Sequence, residues 1–233
     1  IASRKEEPLS EAAEKLAKSG TVLHKACDIR KTEDIQQLTS FIKDKCGRLD
    51  ILVNNAGGQF PALTEYINDK GWNAVINNNL NGTFYMIREM GNAFFIPQKN
   101  GVIINIIADI LRGFPGMVHT GAARAGVENI TKTIAQEWSE HHIRINCVAP
   151  GIVETSGLDT YPQPVQDMFE DAKKAIPLGR FATAADVSNA VCFFASDLSA
   201  YCTGTTLYVD GAQHLNYDKM GLARVMKSFL NPS

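Results

Sequence analysis

The apolar run Leu49-Asp50-Ile51-Leu52-Val53 stops at Asn54-Asn55-Ala56-Gly57, and this junction is where the chain first offers chemistry. A short apolar, partly β-branched run cut off by Asn and Gly predicts a parallel strand ending at the carboxyl edge of a sheet. In doubly wound α/β folds nucleotides bind at that edge. Two small polar side chains followed by Gly57-Gly58 let the backbone come close to a flat ligand. A second group falls on a predicted helix. Thr120 and Arg124 stand four residues apart and so share a helix face. Thr120 also suits a helix N-cap, and Glu128, four residues past Arg124, is spaced to be its ion-pair partner.

These residues need elements to hold them, and the chain alternates regularly. Helical periodicity marks 8–19, 32–46, about 64–96, 121–141 and 184–196, with a shorter helix near 163–174. Apolar strand-like runs fall at 21–26, 49–53, 101–107, 143–148 and 205–209. Such alternation implies βαβ crossovers, a parallel sheet and helices on both faces. The segment 152–182 is irregular and contains Pro162, Pro164 and Pro177. Loops of that length in a compact domain are usually functional. In the tail, Leu222, Val225, Met226 and Phe229 line one face of 218–230, as in a packing helix.

The composition narrows the function classes. A chain of 233 residues is the size of one α/β domain. Apolar residues make up 45% and charged residues 21%, as in ordinary globular proteins. A net charge of −2 gives no sign of nucleic-acid binding. No apolar stretch approaches the ~20 residues of a membrane span. Five cysteines without CxxC pairing read as reduced thiols packed like small hydrophobes, with no zinc site indicated. The opening Ile1-Ala2-Ser3-Arg4-Lys5 leads straight into a charged helix and does not predict a secretory leader. The ending Asn231-Pro232-Ser233 is not an SKL-type peroxisomal address.

Asn54-Asn55-Ala56-Gly57 resembles the NNAG motif of the short-chain dehydrogenase/reductase family, and five further stretches agree in order. Cys27-Asp28-Ile29 is similar to the adenine-contacting pair, and Trp72 to Phe84 to the helix of the catalytic Asn, at Asn79. Gly101 to Ile106 resembles the strand before the catalytic Ser, and Arg144 to Gly151 the strand and loop beside the nicotinamide. Thr203-Gly204 with Val209-Asp210-Gly211 resembles the last strand. The fold this implies is a single Rossmann-type domain over 1–233, a doubly wound parallel α/β sheet. In it 152–182 is the substrate-binding loop and 212–233 a C-terminal tail. The resemblance also implies that the first βα unit, with its glycine-rich turn, is lacking in this chain. Because that strand would be central, its absence predicts two unpaired sheet edges.

The resemblance carries expectations for the site. Asp28, Ile29, Asn55, Ala56, Gly57, Arg124, Pro150, Gly151, Val153 and Thr155 are implied as cofactor contacts. Ser3, Arg4 and Lys5 follow the implied second strand, where Arg accommodates a ribose 2′-phosphate, so NADPH is expected rather than NADH. The rival reading of Arg4-Lys5 is a solvated basic pair. The family's Tyr-x-x-x-Lys falls on Thr120 and Arg124, and its Ser position near Ile107-Ala108, so the phenol that serves carbonyl reduction is missing. His119-Thr120-Gly121-Ala122-Ala123-Arg124 and Gly113-Phe114-Pro115 are similar to the peroxisomal trans-2-enoyl-CoA reductases. That subgroup implies NADPH-dependent saturation of the 2,3 double bond of an acyl-CoA. Asn79, Thr120, Arg124 and Tyr85 are the implied catalytic set, with His119 another proton donor to consider. A dienoyl-CoA reductase and an inactive family member acting as a binding partner are the alternatives. The resemblance further implies a homo-oligomer, dimer or tetramer, and a peroxisomal location, with the cytoplasm and the mitochondrion as the alternatives.

Overall fold

The computed structural model describes residues 1–155 and 172–215. The helix expected near 163–174 and the tail 218–230 therefore lie wholly or largely outside the described residues. The scaffold is a four-stranded parallel sheet in the order β3 (Ile51–Asn54), β4 (Gly101–Ile106), β5 (Ile143–Pro150), β6 (Thr206–Val209). Successive residues of a strand face opposite sides of a sheet. Ile103 and Ile145 accordingly pack on one side, against α2 (Thr32–Cys46), α4 (Gly82–Met90) and α6 (Val118–Glu137). Ile104 and Val148 pack on the other, against Ala190 and Phe194 of α7 (Ala184–Ala195).

Helix ends follow local chemistry. In α2, Glu33 and Asp34 occupy the first turn and Lys43 and Lys45 the last, complementing the helix dipole. Gly47, at φ 72°, closes it in the left-handed conformation that glycine adopts without strain. Thr183 and Asp186 form a reciprocal capping box at the start of α7.

A second, two-stranded sheet pairs β1 (Ala2–Ser3) with β2 (Lys25–Ala26), joined by α1 (Glu6–Leu16). The strand expected over 21–26 is thus reduced to its last residues. Among the described residues the two sheets share no strand pairing. A groove of about 890 Å³ runs along β1 and β3, lined by Ile1, Leu38, Phe41, Ile51 and Val53 among others. The unpaired edges expected from the sequence are therefore present. Ile51 and Val53 stay roughly two-fifths exposed, while Leu52 between them is buried.

The continuous helix expected over 64–96 is broken into pieces. A 3₁₀ turn (Thr64–Tyr66) precedes α3 (Asp69–Ile76), and α4 lies between π-helical turns at Asn77–Asn81 and Gly91–Phe95, followed by α5 (Ile96–Gln98). The break before α3 has a clear cause: Asn68 caps that helix by accepting from Gly71 N at 2.8 Å. The turn at Gly91 lies directly under the Trp138 indole, whose Cζ3 sits 2.8 Å from where a Cβ would go. Gly91→Ala should therefore destabilise the fold by about 1–3 kcal/mol, read as a lower urea midpoint with unchanged slope. An unchanged midpoint would show that the indole moves aside freely.

Candidate active site

The carboxyl ends of β3, β4 and β5 are held level by a buried polar chain. Asn54 Nδ2 donates to Asn105 Oδ1 at 2.9 Å, and Asn105 Nδ2 donates to Thr131 Oγ1 at 2.9 Å. Thr131 Oγ1 lies 3.1 Å from Cys147 Sγ and donates to Val127 O. Asn105 and Thr131 were not singled out from the sequence. The signal was there: Asn105 is a polar residue inside the apolar run Val102 to Ile106, and it is fully buried.

Beyond Asn54, the shelf Asn55-Ala56-Gly57-Gly58 is open to solvent, but its underside is filled. Asn79, fully buried in the π-helical turn, grips Gly58 from both sides: Oδ1 accepts from Gly58 N and Nδ2 donates to Gly58 O, each at 2.9 Å. π-Helical turns of this kind recur at functional sites. Thr83 Oγ1 donates to Asn79 O at 3.0 Å and steadies the turn. Asn79 thus shapes the shelf through both ends of its side-chain amide. Asn79→Ala should leave both Gly58 groups unpaired and loosen the shelf by about 1–3 kcal/mol. The expected sign is weaker cofactor binding in a fluorescence titration, with a melting temperature lower by several degrees. A parent-like dissociation constant would remove Asn79 from the site.

Arg124 lies against Gly57. Its Nη2 occupies the space a Cβ on Gly57 would need, so a larger residue there would displace the guanidinium or the shelf. The guanidinium is buried, and among the described residues no carboxylate pairs with it. Glu128, expected as its partner, instead holds Lys132 at 2.9 Å and accepts from Thr206 Oγ1 at 3.0 Å. Burial lowers the Arg124 pKa to about 10. The nearby Cys147 thiol offers no counter-charge, because burial pushes it up to about 11 and keeps it neutral. An arginine charged at physiological pH, desolvated and unpaired, is set up to receive an anion or developing negative charge.

Thr120 is fully buried on the same helix, but it is not the N-cap. The helix begins two residues earlier, after Met117, so Thr120 lies inside the first turn. Its hydroxyl is therefore not consumed by capping and lies 3.3 Å from His119 Nδ1. His119 Nδ1 also accepts the Thr120 N–H at 2.8 Å, which places the proton of a neutral imidazole on Nε2. That Nε2 is buried and has no hydrogen-bond partner among the described residues, and the ring stands edge-on to Phe60 at 4.6 Å. Tyr85 is not brought into this group. Its ring packs on the core of α2, α4 and β4 and under the Arg88 guanidinium, 5.5 Å from the ring centre.

The expected cofactor residues fall into two sets. Pro150 and Gly151 end β5, where Gly151 is packed against Asp210 and Gln213. Gln213 Oε1 is a buried acceptor with no partner among the described residues, 2.9 Å from the place of a Gly151 Cβ. Val153 bridges Ala182 through its neighbours, Ala182 N to Ile152 O and Glu154 N to Ala182 O, so its own amide and carbonyl face the opposite side. Thr155 follows in the exposed loop. The second set lies on the small sheet, with exposed Ser3 ending β1, exposed Arg4 and Lys5 after it, and Asp28-Ile29 after β2. Arg30, not anticipated from the sequence, clamps Asp28 through Nε at 2.8 Å and Nη2 at 2.5 Å. Those hydrogen bonds, with the charge of Arg4 adding to them, hold the Asp28 carboxyl at about 2.

A parallel sheet with this polar ladder, an Asn-capped glycine shelf and a helix-borne cation define an oxidoreductase of the short-chain dehydrogenase/reductase family, to which the chain belongs. The family model described as enoyl-(acyl carrier protein) reductase matches residues 1–214. Among its relatives is the 3-oxoacyl-[acyl-carrier-protein] reductase FabG of Thermotoga maritima, 38% identical over 185 residues, covering 79% of this chain and 74% of that protein. Another, of Bacillus subtilis, is named "Probable 2,4-dienoyl-CoA reductase [(2E)-enoyl-CoA-producing]"; it is 33% identical over 225 residues, covering 93% of this chain and 86% of that protein. The crystal structure of a short chain dehydrogenase from Bacillus anthracis superposes with a TM-score of 0.83 at 38% identity, covering 92% of this chain and 85% of that one.

Proposed function

We propose that the protein uses NADPH to reduce the 2,3 double bond of a trans-2-enoyl thioester, an acyl-CoA, to the saturated acyl group. The observation that supports this reading most directly is the buried, unpaired guanidinium of Arg124 with a hydroxyl, not a phenol, four residues before it. Reduction of a ketone needs a group that can protonate an alkoxide, which neither Thr120 nor Arg124 does near neutral pH. Conjugate reduction instead develops negative charge on the thioester oxygen, and fixed donors suffice to stabilise it.

The residues present fit a nicotinamide cofactor: Gly57 adds no side chain to the exposed shelf, Gln213 Oε1 is an acceptor without a partner among the described residues, and the Val153 amide and carbonyl face away from Ala182. Gly57, Gly151, Val153 and Thr155 would hold the nicotinamide end, and Asp28 the adenine. Arg4 and Lys5 would meet a 2′-phosphate, which favours NADPH. When bound, the cofactor supplies a hydride to the substrate β-carbon. Arg124 faces the thioester oxygen with its positive charge, and Thr120 Oγ1 donates a hydrogen bond to it. The α-carbon then takes its proton from water on the open Asn55–Gly58 shelf. A dienoyl-CoA substrate is the second reading, supported by the Bacillus subtilis relative over 93% of the chain.

The test follows NADPH oxidation with a medium-chain trans-2-enoyl-CoA, a 2,4-dienoyl-CoA and a 3-oxoacyl-CoA, beside an Arg124→Ala control. Turnover on the enoyl substrate that vanishes in the control is the expected result. Preference for the dienoyl substrate would transfer the assignment to the second reading, and turnover on the 3-oxo substrate alone would overturn both.

A further inference from the structure

Two loops at the mouth of the site expose more apolar surface than their length requires. The loop that follows the glycine shelf presents Phe60, Leu63 and Tyr66, which are 38%, 58% and 76% exposed. The loop after β4 presents Leu111 and the start of α6 presents Val118, 57% and 38% exposed, with half-buried Phe114 between them in sequence. A hydrogen bond from Ala62 N to Gly116 O, 2.8 Å long, ties the two loops together. Single exposed apolar residues need no explanation, but several gathered on two joined segments mark a binding surface. This one begins inside the site, where the Phe60 ring meets His119 at 4.6 Å, next to Thr120.

We propose that this apolar strip is the acyl-chain track of the enzyme: a linear hydrocarbon tail leaves the reacting carbons beside Thr120, passes Phe60 and Val118, and lies along Leu63 and Leu111. The inference rests on the acyl-thioester reading above and adds a preference for longer chains. Continuity with the site favours a substrate tail over a second copy of the chain, because a protein surface seated here would have no reason to reach Phe60. It also favours the tail over the coenzyme A moiety, whose phosphates and amides gain nothing from such surface. The contact is hydrophobic and roughly proportional to the area covered. A fully buried methylene strengthens binding about fourfold and a half-buried one about twofold.

The test measures binding of saturated C4, C8, C12 and C16 acyl-CoAs by calorimetry, and kcat/KM for the matching 2-enoyl-CoAs. Affinity should rise about twofold per methylene before levelling off. In the double variant Leu63→Ser/Leu111→Ser, the ratio of C12 to C4 should fall at least tenfold in both measurements. Both side chains are more than half exposed, so their loss leaves the fold intact. Calorimetry reads the track without turnover, so a protein that binds longer chains more tightly but reduces none of them would sink the reductase reading and keep the track. Affinity independent of chain length would overturn the track, even with normal turnover on the C4 substrate. A changed oligomeric state in the double variant with an unaltered chain-length ratio would also overturn it, in favour of a contact between copies.

Discussion

Replacing Arg124 by Met should give a protein that no longer reduces an enoyl thioester yet melts several degrees higher than the parent. The residue is buried among neutral groups, and burial holds its pKa down to about 10 from the ordinary 12.5. A cation with a depressed folded-state pKa opposes folding at every pH below that value, and the penalty fades as pH rises through it. At neutral pH a shift of this size corresponds to roughly 3 kcal/mol. Methionine fills much of the same space without the charge, so most of the penalty is relieved. For a chain of this length, 1 kcal/mol moves the melting temperature by about 2–4 °C. Scanning calorimetry without ligand and the NADPH assay together check the prediction. A variant that melts below the parent would mean that a counter-charge neutralises Arg124 in the folded protein. The parent should in turn gain more stability from bound cofactor than the variant does, because only the parent has a charge to satisfy.

The Gly57→Ala variant should be nearly inactive for a different reason. A methyl group there falls on Arg124 Nη2 and 3.1 Å from Asn79 Oδ1, so the guanidinium must leave or the shelf must lift. Either movement separates the cation from the reacting oxygen. Losing one preorganised donor to a developing oxyanion costs about 10²–10³ in kcat. Thermal stability should change little, because the strain is relieved by freeing a charge that prefers water. Steady-state kinetics with a medium-chain enoyl-CoA supply the check, and a kcat within threefold of the parent would show that Arg124 is not fixed by Gly57. Comparison with Gly58→Ala sharpens the result: its methyl would meet only the Asn78 amide at 3.3 Å, a neighbour that can give way.

Much of this scaffold was legible from residue order alone. The strand ending at Asn54 was marked by its apolar run and its Asn-Gly stop, and α2 and α7 by periodicity. The helix expected over 64–96 was too simple, because periodicity reads only whether a segment is helical. It does not register a π-helical turn, which adds one residue to a turn and rotates everything beyond it. The same blindness affected Thr120 and Glu128. Thr120 was assigned to a cap from its residue type, but the helix starts where Met117 and the Phe114 loop allow. Glu128 had the right spacing for Arg124, yet Lys132 offers the same spacing in the other direction and lies at the surface. Arg30 escaped notice because two residues' separation has no helical or strand meaning; the turn at Asp28 brings them together. The apolar strip at Phe60, Leu63 and Leu111 had no periodicity to reveal it.

The polar chain from Asn54 to Cys147 has a consequence for how the strands find one another. Asn54 stands opposite Asn105, and Asn105 opposite Cys147, so the chain closes only in one alignment of three strands. An all-apolar parallel sheet tolerates slippage, since one Ile or Val can replace the next. Here a slip by one residue would bury two amide side chains without partners. The wrong alignment would therefore be rejected at about 1–3 kcal/mol for each orphaned group. It would also shift one loop past the next by about 3.3 Å, more than the gap between a guanidinium and the oxygen it must meet. Misalignment is thus an all-or-none error that the interior detects, and the site at the strand ends takes its alignment from amides buried beneath it.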